Sequence, residues 1–559
     1  MKTIDEFLSD LRSLDVKLWV DSEKLRYSAP KEILKPALRT QLRERKAEII
    51  KFLDKTNLTL YSTTEPILTI PRDKNLPLSF SQEGFWFIDK MEGTSATYNL
   101  FFPIKLIGSL NVVALEQSLQ EIVRRQEILR TTFEDMNGRP IQVISPTLHL
   151  KALVIDLRML PQNEQSVEVM RLASEEAQRP FDLSQDALLR ATLLQLKNTE
   201  HILLLSIHHI VTDAGSLIAL FRELKVLYEA FSKQKSSPLP ELSIQYADFA
   251  VWQKQWLQGK ILEKQMLYWK EQLDGASSLL SLPTDRPRPP VQTFQGERQE
   301  LVLPNNLLEA LKALSKEAQA TMYMTMLAAF NVLLYRYTQQ KDILVGSPFF
   351  GRNRAEIEGV MGPFLNMLVM RTDLSGNPSF RELLARVKKI CSEVYAHSDL
   401  PFEKLVEELK PTRGSSYSPL FQVMFVLQVF PELEKEHLFE WSDLTLDILP
   451  IHKKGSLYDL TLMIRKLQYD YKVILEYNTD LFDAATATRI LRHFQVLLEA
   501  IVTNPNQHLN QLPLLREAER QQLLVEWNDT QRDYPQDKCI HQIFEEQVEK
   551  TPNAIAVVF

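Results

Sequence analysis

The chain of 559 residues has only two cysteines and 15 glycines, and it has no long uninterrupted apolar run. Cys391 and Cys539 lie far apart in the sequence, which excludes a thiol-rich zinc site and gives no support to a disulfide framework. The most hydrophobic stretch, residues 322–337, is broken by polar residues and predicts a buried helix rather than a membrane span. Residues 1–15 lack the basic and apolar regions of a signal peptide, so we expect a cytoplasmic protein.

The chain also lacks a strong charge of either sign. Its net charge is −7, a small value for this length, so binding to nucleic acid is not expected. Residues 1–55 hold 13 Lys or Arg against 10 Asp or Glu, which makes this segment +3 and the remainder −10. With 45% hydrophobic and 25% charged residues, the composition is that of a globular protein, and the length predicts two or more packed units.

The pattern of residues 1–55 predicts a small unit of helix, hairpin and helix. Thr3 and Glu6 have the spacing of a capping box, apolar residues recur at helical spacing over 4–14 and 38–53, and the segments that flank residues 21–24 are predicted as two short strands. This pattern resembles the N-terminal docking domains of synthetase subunits, in which a hairpin captures the acidic C-terminal tail of an upstream subunit. The blander interpretation is a solvated helical extension. The predicted tail-binding residues are Lys17, Lys24 and Arg26.

From Pro77 onward, apolar strands alternate with amphipathic helices for roughly 450 residues. In the first half, a strand at 202–207 precedes a helix at 216–231. In the second half the pattern predicts one helix over 307–337, strands at 343–346 and 365–371, and a helix at 380–396. A connection rich in tryptophan and then in proline lies between the halves. We therefore predict two similar α/β lobes.

The strongest chemical signal is His208-His209-Ile210-Val211-Thr212-Asp213, which follows the apolar strand directly. Adjacent side chains of a strand point to opposite faces, so one histidine is expected to face a cavity and the other to have a structural role. Asp213 is expected to fix the turn through a local ion pair or hydrogen bond. Ser216 is a suitable N-cap for the following helix.

This motif and its surroundings resemble the condensation domains of nonribosomal peptide synthetases, which carry the signature His-His-x-x-x-Asp-Gly. Other segments similar to the family occur in the family's order over about residues 77–525. They are Ser79-Phe80-Ser81-Gln82 with Phe85-Trp86-Phe87, residues 124–131, Tyr246-Ala247-Asp248-Phe249, residues 346–352, residues 362–366, residues 397–405, residues 418–425 and residues 477–483. Gln126 stands where the family usually has His, and Met367 where it usually has Thr.

The resemblance implies a fold of two chloramphenicol-acetyltransferase-like lobes that form a V-shaped pseudo-dimer, with the site between them. The expected divisions are a docking domain at 1–55, a linker at 56–76, an N-terminal lobe at 77–255, a C-terminal lobe at 256–525, and, at 526–559, a linker with the truncated start of an adenylation domain, which ends inside an expected strand. Upstream and downstream carrier proteins would deliver substrates on 4′-phosphopantetheine arms. No cofactor or metal bound by the domain itself is implied.

The same resemblance assigns roles to individual residues. His209 would face the channel and act on the acceptor amine, as a general base or by positioning it, while His208 and Asp213 would be structural. Arg352 from the second lobe would pair with Asp213, with Arg354 as its nearest rival, and a buried Asp–Arg pair can be bidentate.

Further residues of the resemblance line the channel. Asn366 is a candidate hydrogen-bond donor on its wall, and Gly215 and Ser216 would also belong to it. Ala214 departs from the family's usual Gly. If that position needs φ > 0, the methyl group would distort the turn, and otherwise it would only narrow the channel.

Three functions remain open at this point. The preferred one is amide-bond formation between a donor thioester and an acceptor amine, with an L-configured donor. An epimerisation domain shares the fold and the histidine pair, but it follows its carrier domain, whereas here a docking unit precedes the lobes and an adenylation start follows them. A recruiting domain without catalytic activity is the third hypothesis, and Ala214 is its main support.

Overall fold

The computed structural model describes residues 17–21 and 24–28, residues 42, 45 and 46, and residues 66–558, except for 74, 94, 278, 353, 411–415, 429–439, 442, 450–454, 468–469 and 534. The chain divides into two compact units, Met1–Leu512 and Pro513–Phe559, which are described separately. The predicted helices at 4–14 and 38–53 lie, apart from residues 42, 45 and 46, outside the described residues.

A two-stranded antiparallel hairpin lies where the N-terminal pattern predicts it. Strand β1 (Lys17–Asp21) pairs with β2 (Lys24–Ser28), and Trp19 stands opposite Arg26. The hairpin therefore positions Lys17, Lys24 and Arg26 on two adjacent strands.

The first half of the large unit contains a six-stranded and a three-stranded sheet. Its strands are β3 (Leu76–Pro77), β4 (Asn99–Gly108), β5 (Thr131–Met136), β6 (Arg139–Ile144), β7 (Leu153–Asp156), β8 (Leu189–Lys197) and β9 (Glu200–His208). Its helices are α1 (Phe80–Glu92), α2 (Val112–Arg125), α3 (Gln162–Gln178), α4 (Ala214–Ser232) and α5 (Tyr246–Trp256), and α6 (Gly259–Leu273) follows in the connection between the halves. The smaller sheet has the order β3-β6-β5.

The second half forms one six-stranded sheet. Its strands are β10 (Gly296–Leu303), β11 (Asp342–Phe349), β12 (Asn366–Asp373), β13 (Val423–Gln428), β16 (Leu460–Leu467) and β17 (Asp470–Asn478). They lie in the order β10-β17-β16-β13-β11-β12. The helices of this half are α7 (Asn305–Glu317), α8 (Met322–Thr338), α9 (Phe380–Ala396), α10 (Phe402–Leu409) and α11 (Ala484–Thr503).

One part of the second half belongs to the sheet of the first half. Strands β14 (Glu440–Trp441) and β15 (Leu444–Ile448) follow β13 in the chain, yet β15 pairs antiparallel with β4. The resulting six-stranded sheet has the order β14-β15-β4-β9-β8-β7, and Trp441 and Leu444 join the apolar core of the first half. The sequence pattern did not reveal this crossing, which links the two halves through backbone hydrogen bonds.

Strand β9 is apolar almost throughout because both of its faces are covered. Residues 201–208 are all buried, and β9 pairs antiparallel with β4 on one side and with β8 on the other. A central strand buried on both faces gives a near-continuous apolar run instead of an alternating one. Packing on both faces thus fixes the position at which His208 leaves the sheet.

The single helix predicted over 307–337 is wrong, because the chain forms two helices there. Gln319 has a left-handed backbone with φ of 50°, and Thr321 then caps α8 by accepting a hydrogen bond from the Met324 amide at 3.2 Å. A left-handed residue followed by an N-cap ends one helix and starts another.

The second compact unit contains α12 (Glu517–Leu524) and α13 (Ile540–Lys550). Residues 555–558 form neither helix nor strand, so the strand expected at this point is not observed. In the part of the chain that the structure describes, we find no helix of the length and apolar character that crossing a membrane requires.

Candidate active site

The paired histidines lie at the end of β9 and have different environments. His208 is the last residue of the strand, and its side chain is 3% exposed. His209 begins a short 3₁₀ helix (His209–Val211) and keeps part of its surface accessible. The strand therefore stops between the two residues, and only His209 is partly open.

Hydrogen bonds and aromatic rings fix both imidazoles. Nδ1 of His208 accepts a hydrogen bond from the Ile210 amide at 3.1 Å, so this nitrogen carries no proton. The His209 ring stacks on Phe85 of α1, with ring centroids 5.0 Å apart and planes at 23°. Phe85 also makes an edge contact with His208, with centroids 6.5 Å apart. Phe85 thus fixes the orientation of the ring that remains open.

Asp213 is the N-cap of α4 and is completely buried. Its Oδ1 accepts from the Ser216 amide at 2.7 Å and from the Ser216 hydroxyl at 2.8 Å. Its Oδ2 accepts from the Phe364 amide of the second half at 3.0 Å. The carboxylate therefore both starts a helix and joins the two halves, and it has no path to a substrate.

Arg352 from the second half pairs with Asp213, as the resemblance implies. Its Nη2 donates to Asp213 Oδ1 at 3.1 Å and to Ser216 Oγ at 2.7 Å. Its Nη1 donates to the carbonyls of Ile357 and Val360 at 2.9 and 2.8 Å. One guanidinium therefore holds the helix start of one half and a loop of the other.

Two details of the predicted pair need correction. The contact is not bidentate, because Nη1 is directed to backbone carbonyls instead of Asp213. Arg354, the rival partner, binds Glu356 at 2.9 Å and lies over the ring of Trp252. The competing assignment to Arg354 is therefore wrong.

Ala214 causes no backbone strain, since it is the first residue of α4 and is not among the residues with positive φ. The position that tolerates no side chain is Gly215. A Cβ at Gly215 would lie 2.4 Å from Nε and 2.8 Å from Cδ of Arg352. The glycine that leaves room for the Arg352 side chain is therefore Gly215, one position after the family's usual glycine.

We predict that Gly215→Ala lowers the free energy of unfolding by about 1–3 kcal/mol, because the methyl group forces Arg352 away from Asp213. Urea unfolding measures the loss. Gly359→Ala is the matched control, since a Cβ there meets only Leu242 at an ordinary 3.5 Å. Equal midpoints for Gly215→Ala and the parent would contradict the close approach.

Asn366, which the resemblance implies as a candidate hydrogen-bond donor on the channel wall, has both of its amide hydrogens engaged within the protein. Its two amide hydrogens are used by the carbonyls of Ser398 and Leu400, both at 2.8 Å. Its Oδ1 accepts from the amides of Met367 and Phe402 at 2.9 and 3.1 Å. In this conformation Asn366 holds the turn before α10 and has no amide hydrogen left for a substrate.

Sequence reasoning missed a second polar link between the halves. The Tyr246 hydroxyl donates to the Pro363 carbonyl at 2.9 Å and lies 2.8 Å from the Ser79 hydroxyl. Gln126 accepts from the Met361 amide at 3.0 Å and donates to the Gly359 carbonyl at 3.0 Å. Tyr246 and Gln126 both lie in segments that resemble the family, but a single sequence does not indicate which residues they contact.

The two α/β lobes, joined at the turn of the histidine pair, define the class of chloramphenicol-acetyltransferase-like pseudo-dimers. The Condensation domain family matches residues 72–524, and the TubC N-terminal docking domain family matches residues 4–55. The chain belongs to the condensation domain family of nonribosomal peptide synthetases and carries an N-terminal docking domain.

Two relatives show the extent of the similarity. The chain is 50% identical over 497 residues to a linear gramicidin synthase protein of Brevibacillus parabrevis, an alignment that covers 89% of this chain and 10% of that protein. It is 40% identical over 494 residues to chondramide synthase cmdD of Chondromyces crocatus, covering 88% of this chain and 12% of that protein. The chain thus spans only a small part of each synthetase.

Solved structures support the same fold. The X-domain from teicoplanin biosynthesis has a TM-score of 0.72 and 27% identity, and the match covers 81% of this chain and 100% of that one. Holo-AB3403, a four-domain nonribosomal peptide synthetase bound to AMP and glycine, has a TM-score of 0.76 at 21% identity, covering 89% of this chain and 38% of that one. The second likeness concerns the fold alone.

Proposed function

We propose that this chain transfers the acyl group of a donor thioester on an upstream carrier protein to the amine of an acceptor aminoacyl thioester on a downstream carrier. The observation that carries the proposal is the placement of His209. Its ring is partly open and is stacked on Phe85, and the turn after it is held by the contact between Asp213 and Arg352.

Aminolysis of a thioester requires a neutral amine and a route for the proton that the amine loses. A partly open imidazole can accept that proton or hold the amine by a hydrogen bond while it attacks the thioester carbonyl. The C–N bond forms, the C–S bond breaks, and the donor thiol leaves with a proton. His208 and Asp213 serve this step only by fixing the turn, because both are buried.

The proposed partners follow from this reaction. The domain itself holds no cofactor in the proposal, since the reacting groups arrive on 4′-phosphopantetheine arms. The upstream and downstream carriers, the upstream subunit's tail and a downstream adenylation domain are the partners. An L-configured donor is the preferred stereochemistry.

The function is tested by loading donor and acceptor carrier proteins with different amino acids and following both by mass spectrometry. We expect the acceptor carrier to gain the mass of the donor aminoacyl group. Deuterium uptake at the donor α-carbon without transfer would favour epimerisation instead.

The recruiting hypothesis retains one specific observation in its favour. The X-domain that resembles this chain at 27% identity was solved in a complex with OxyB. If both loaded carriers remain unchanged in mass while a partner protein binds the chain, the recruiting function replaces the catalytic one.

Docking is a separate prediction. Reversing the charges of Lys17, Lys24 and Arg26 to Glu should weaken binding of the upstream subunit's acidic tail by about tenfold or more at low salt. The substitutions turn attraction between the hairpin and the tail into repulsion, and salt screens this effect least at low ionic strength. Calorimetric titration with the tail peptide measures this. Charge reversal at Lys31, Lys35 and Arg39 is the control, and equal losses in both variants would contradict a hairpin-specific site.

A further inference from the structure

Two aromatic side chains from different elements lie against the imidazole of His209. Phe85 of α1 stacks on this imidazole, with ring centroids 5.0 Å apart. Tyr98, the residue before β4, meets the Phe85 ring at 70°, with centroids 5.2 Å apart. The carbonyl of Tyr98 also accepts the backbone N–H of His209 at 2.9 Å. Phe85 and Tyr98 therefore form an aromatic wall that direct contacts hold beside the imidazole.

The rings of the aromatic wall keep accessible surface, although the residues that follow them are closely packed. Phe85 and Tyr98 are half-buried. Trp86 and Asn99, the next residues in the chain, are 5% and 4% exposed. A half-exposed aromatic ring is ordinary on a protein surface, but these two adjoin a partly open imidazole. Apolar ring surface in this place is available to a group bound at His209.

The chemistry of the aromatic wall is apolar. Phe85 presents only hydrocarbon, and Tyr98 adds a single hydroxyl. The charged residues of the histidine turn are directed to each other, since Arg352 contacts Asp213 at 3.1 Å and Asp213 is 0% exposed. Aromatic rings bury large areas and gain free energy when hydrocarbon covers them. The wall is therefore suited to an apolar group of the substrate.

The acceptor amine determines which substrate group reaches the wall. An amine that gives its proton to His209, or is held by it, lies about 2.6–3.2 Å from a ring nitrogen. The acceptor's first side-chain carbon is two bonds from the amine, and is thus within about 6 Å of the imidazole. That distance is similar to the 5.0 Å between the centroids of His209 and Phe85. The acceptor side chain therefore begins beside the wall.

We propose that Phe85 and Tyr98 are specificity-determining residues that contact the side chain of the acceptor aminoacyl group and favour an apolar one. This inference rests on the proposed function. A polar side chain of similar shape loses hydrogen bonds with water at the wall and gains none from the hydrocarbon of the two rings. The discrimination concerns the acceptor's side chain and is separate from the proton transfer at His209.

Leucine and asparagine test the proposal, because their side chains have similar shapes and differ in polarity. Each is loaded on the acceptor carrier against an alanyl donor, and the single-turnover rate of dipeptide formation is followed by mass spectrometry. Tyr98→Ser removes the ring, retains a hydroxyl and leaves the backbone carbonyl in place. It should lower the ratio of the leucine rate to the asparagine rate about tenfold.

Two further variants separate loss of the wall from loss of structure. Tyr98→Phe keeps the ring, so it should keep the parent's rate ratio whatever its absolute rates. Phe85→Leu keeps an apolar residue in α1 but removes the flat ring, and it should lower the ratio as Tyr98→Ser does. A smaller folded fraction slows both acceptors equally and leaves the ratio unchanged.

Phe87→Ser is the matched control, since Phe87 lies on the same helix, is 52% exposed and has its ring against Trp86. It should retain the parent's rates and ratio. If Tyr98→Ser and Phe85→Leu keep the parent's ratio while the parent forms dipeptide, the inference is overturned and the proposed function stands. A ratio that falls only when the two amino acids are loaded on the donor carrier also overturns it. Absence of dipeptide from the parent with both acceptors would instead overturn the proposed function.

Discussion

His209→Ala should lower the single-turnover rate of dipeptide formation by about 10²–10⁴-fold, which is the usual contribution of a positioned acid or base. The imidazole is partly open and stacked on Phe85. Its removal therefore deletes the group that would accept the amine proton, and it leaves no cavity in a fully buried core because the ring is partly exposed. The rate is measured by quenching the reaction of the loaded carriers at successive times and determining the mass of the acceptor carrier by mass spectrometry.

The control for this substitution is His149→Ala, because His149 is exposed. We expect it to retain the parent rate. His208→Ala should behave differently from both, with a loss of stability, since His208 is 3% exposed and accepts a hydrogen bond from Ile210. A His209→Ala enzyme with the parent rate would remove the imidazole from the mechanism.

Asp213→Ala should reduce the free energy of unfolding by about 3–5 kcal/mol, because it leaves the Arg352 guanidinium without its carboxylate in a largely buried place. The side chains of Asp213 and Arg352 are 0% and 13% exposed. The substitution also removes the cap of α4 and the acceptor of the Phe364 amide. Urea midpoints of the variant and the parent give the loss.

A surface ion pair supplies the comparison for this effect. Arg171 contacts Glu168 and Glu175, and its side chain is 50% exposed. Arg171→Ala should cost less than about 1 kcal/mol, because solvent screens such pairs. A loss of that small size in Asp213→Ala would show that the contact between the halves contributes little to stability.

The sequence predicted the parts of the fold that local pattern controls. The helix at 380–396 agrees with α9 because Ser379 and Glu382 form a capping box in front of an amphipathic run. The strand at 202–207 agrees with β9 because burial on both faces leaves a continuous apolar segment. The break at Gln319 was missed, since neither glycine nor proline marks it.

Long-range features could not be predicted in the same way. Nothing within residues 444–448 indicates that β15 pairs with β4, because that pairing depends on a neighbour more than 300 residues away. The resemblance to a family predicted the contact between Asp213 and Arg352, and it also suggested a hydrogen-bond donor toward the channel at Asn366. The structure shows that the turn before α10 uses that amide.

In the proposed reaction, this chain joins two carrier-bound amino acids at His209. The most direct measurement is the intact mass of the acceptor carrier after one turnover with a loaded donor carrier. We expect the acceptor to gain the donor's aminoacyl mass, the donor to become the free thiol, and His209→Ala to slow both changes together. An acceptor of unchanged mass beside a still-loaded donor would contradict it.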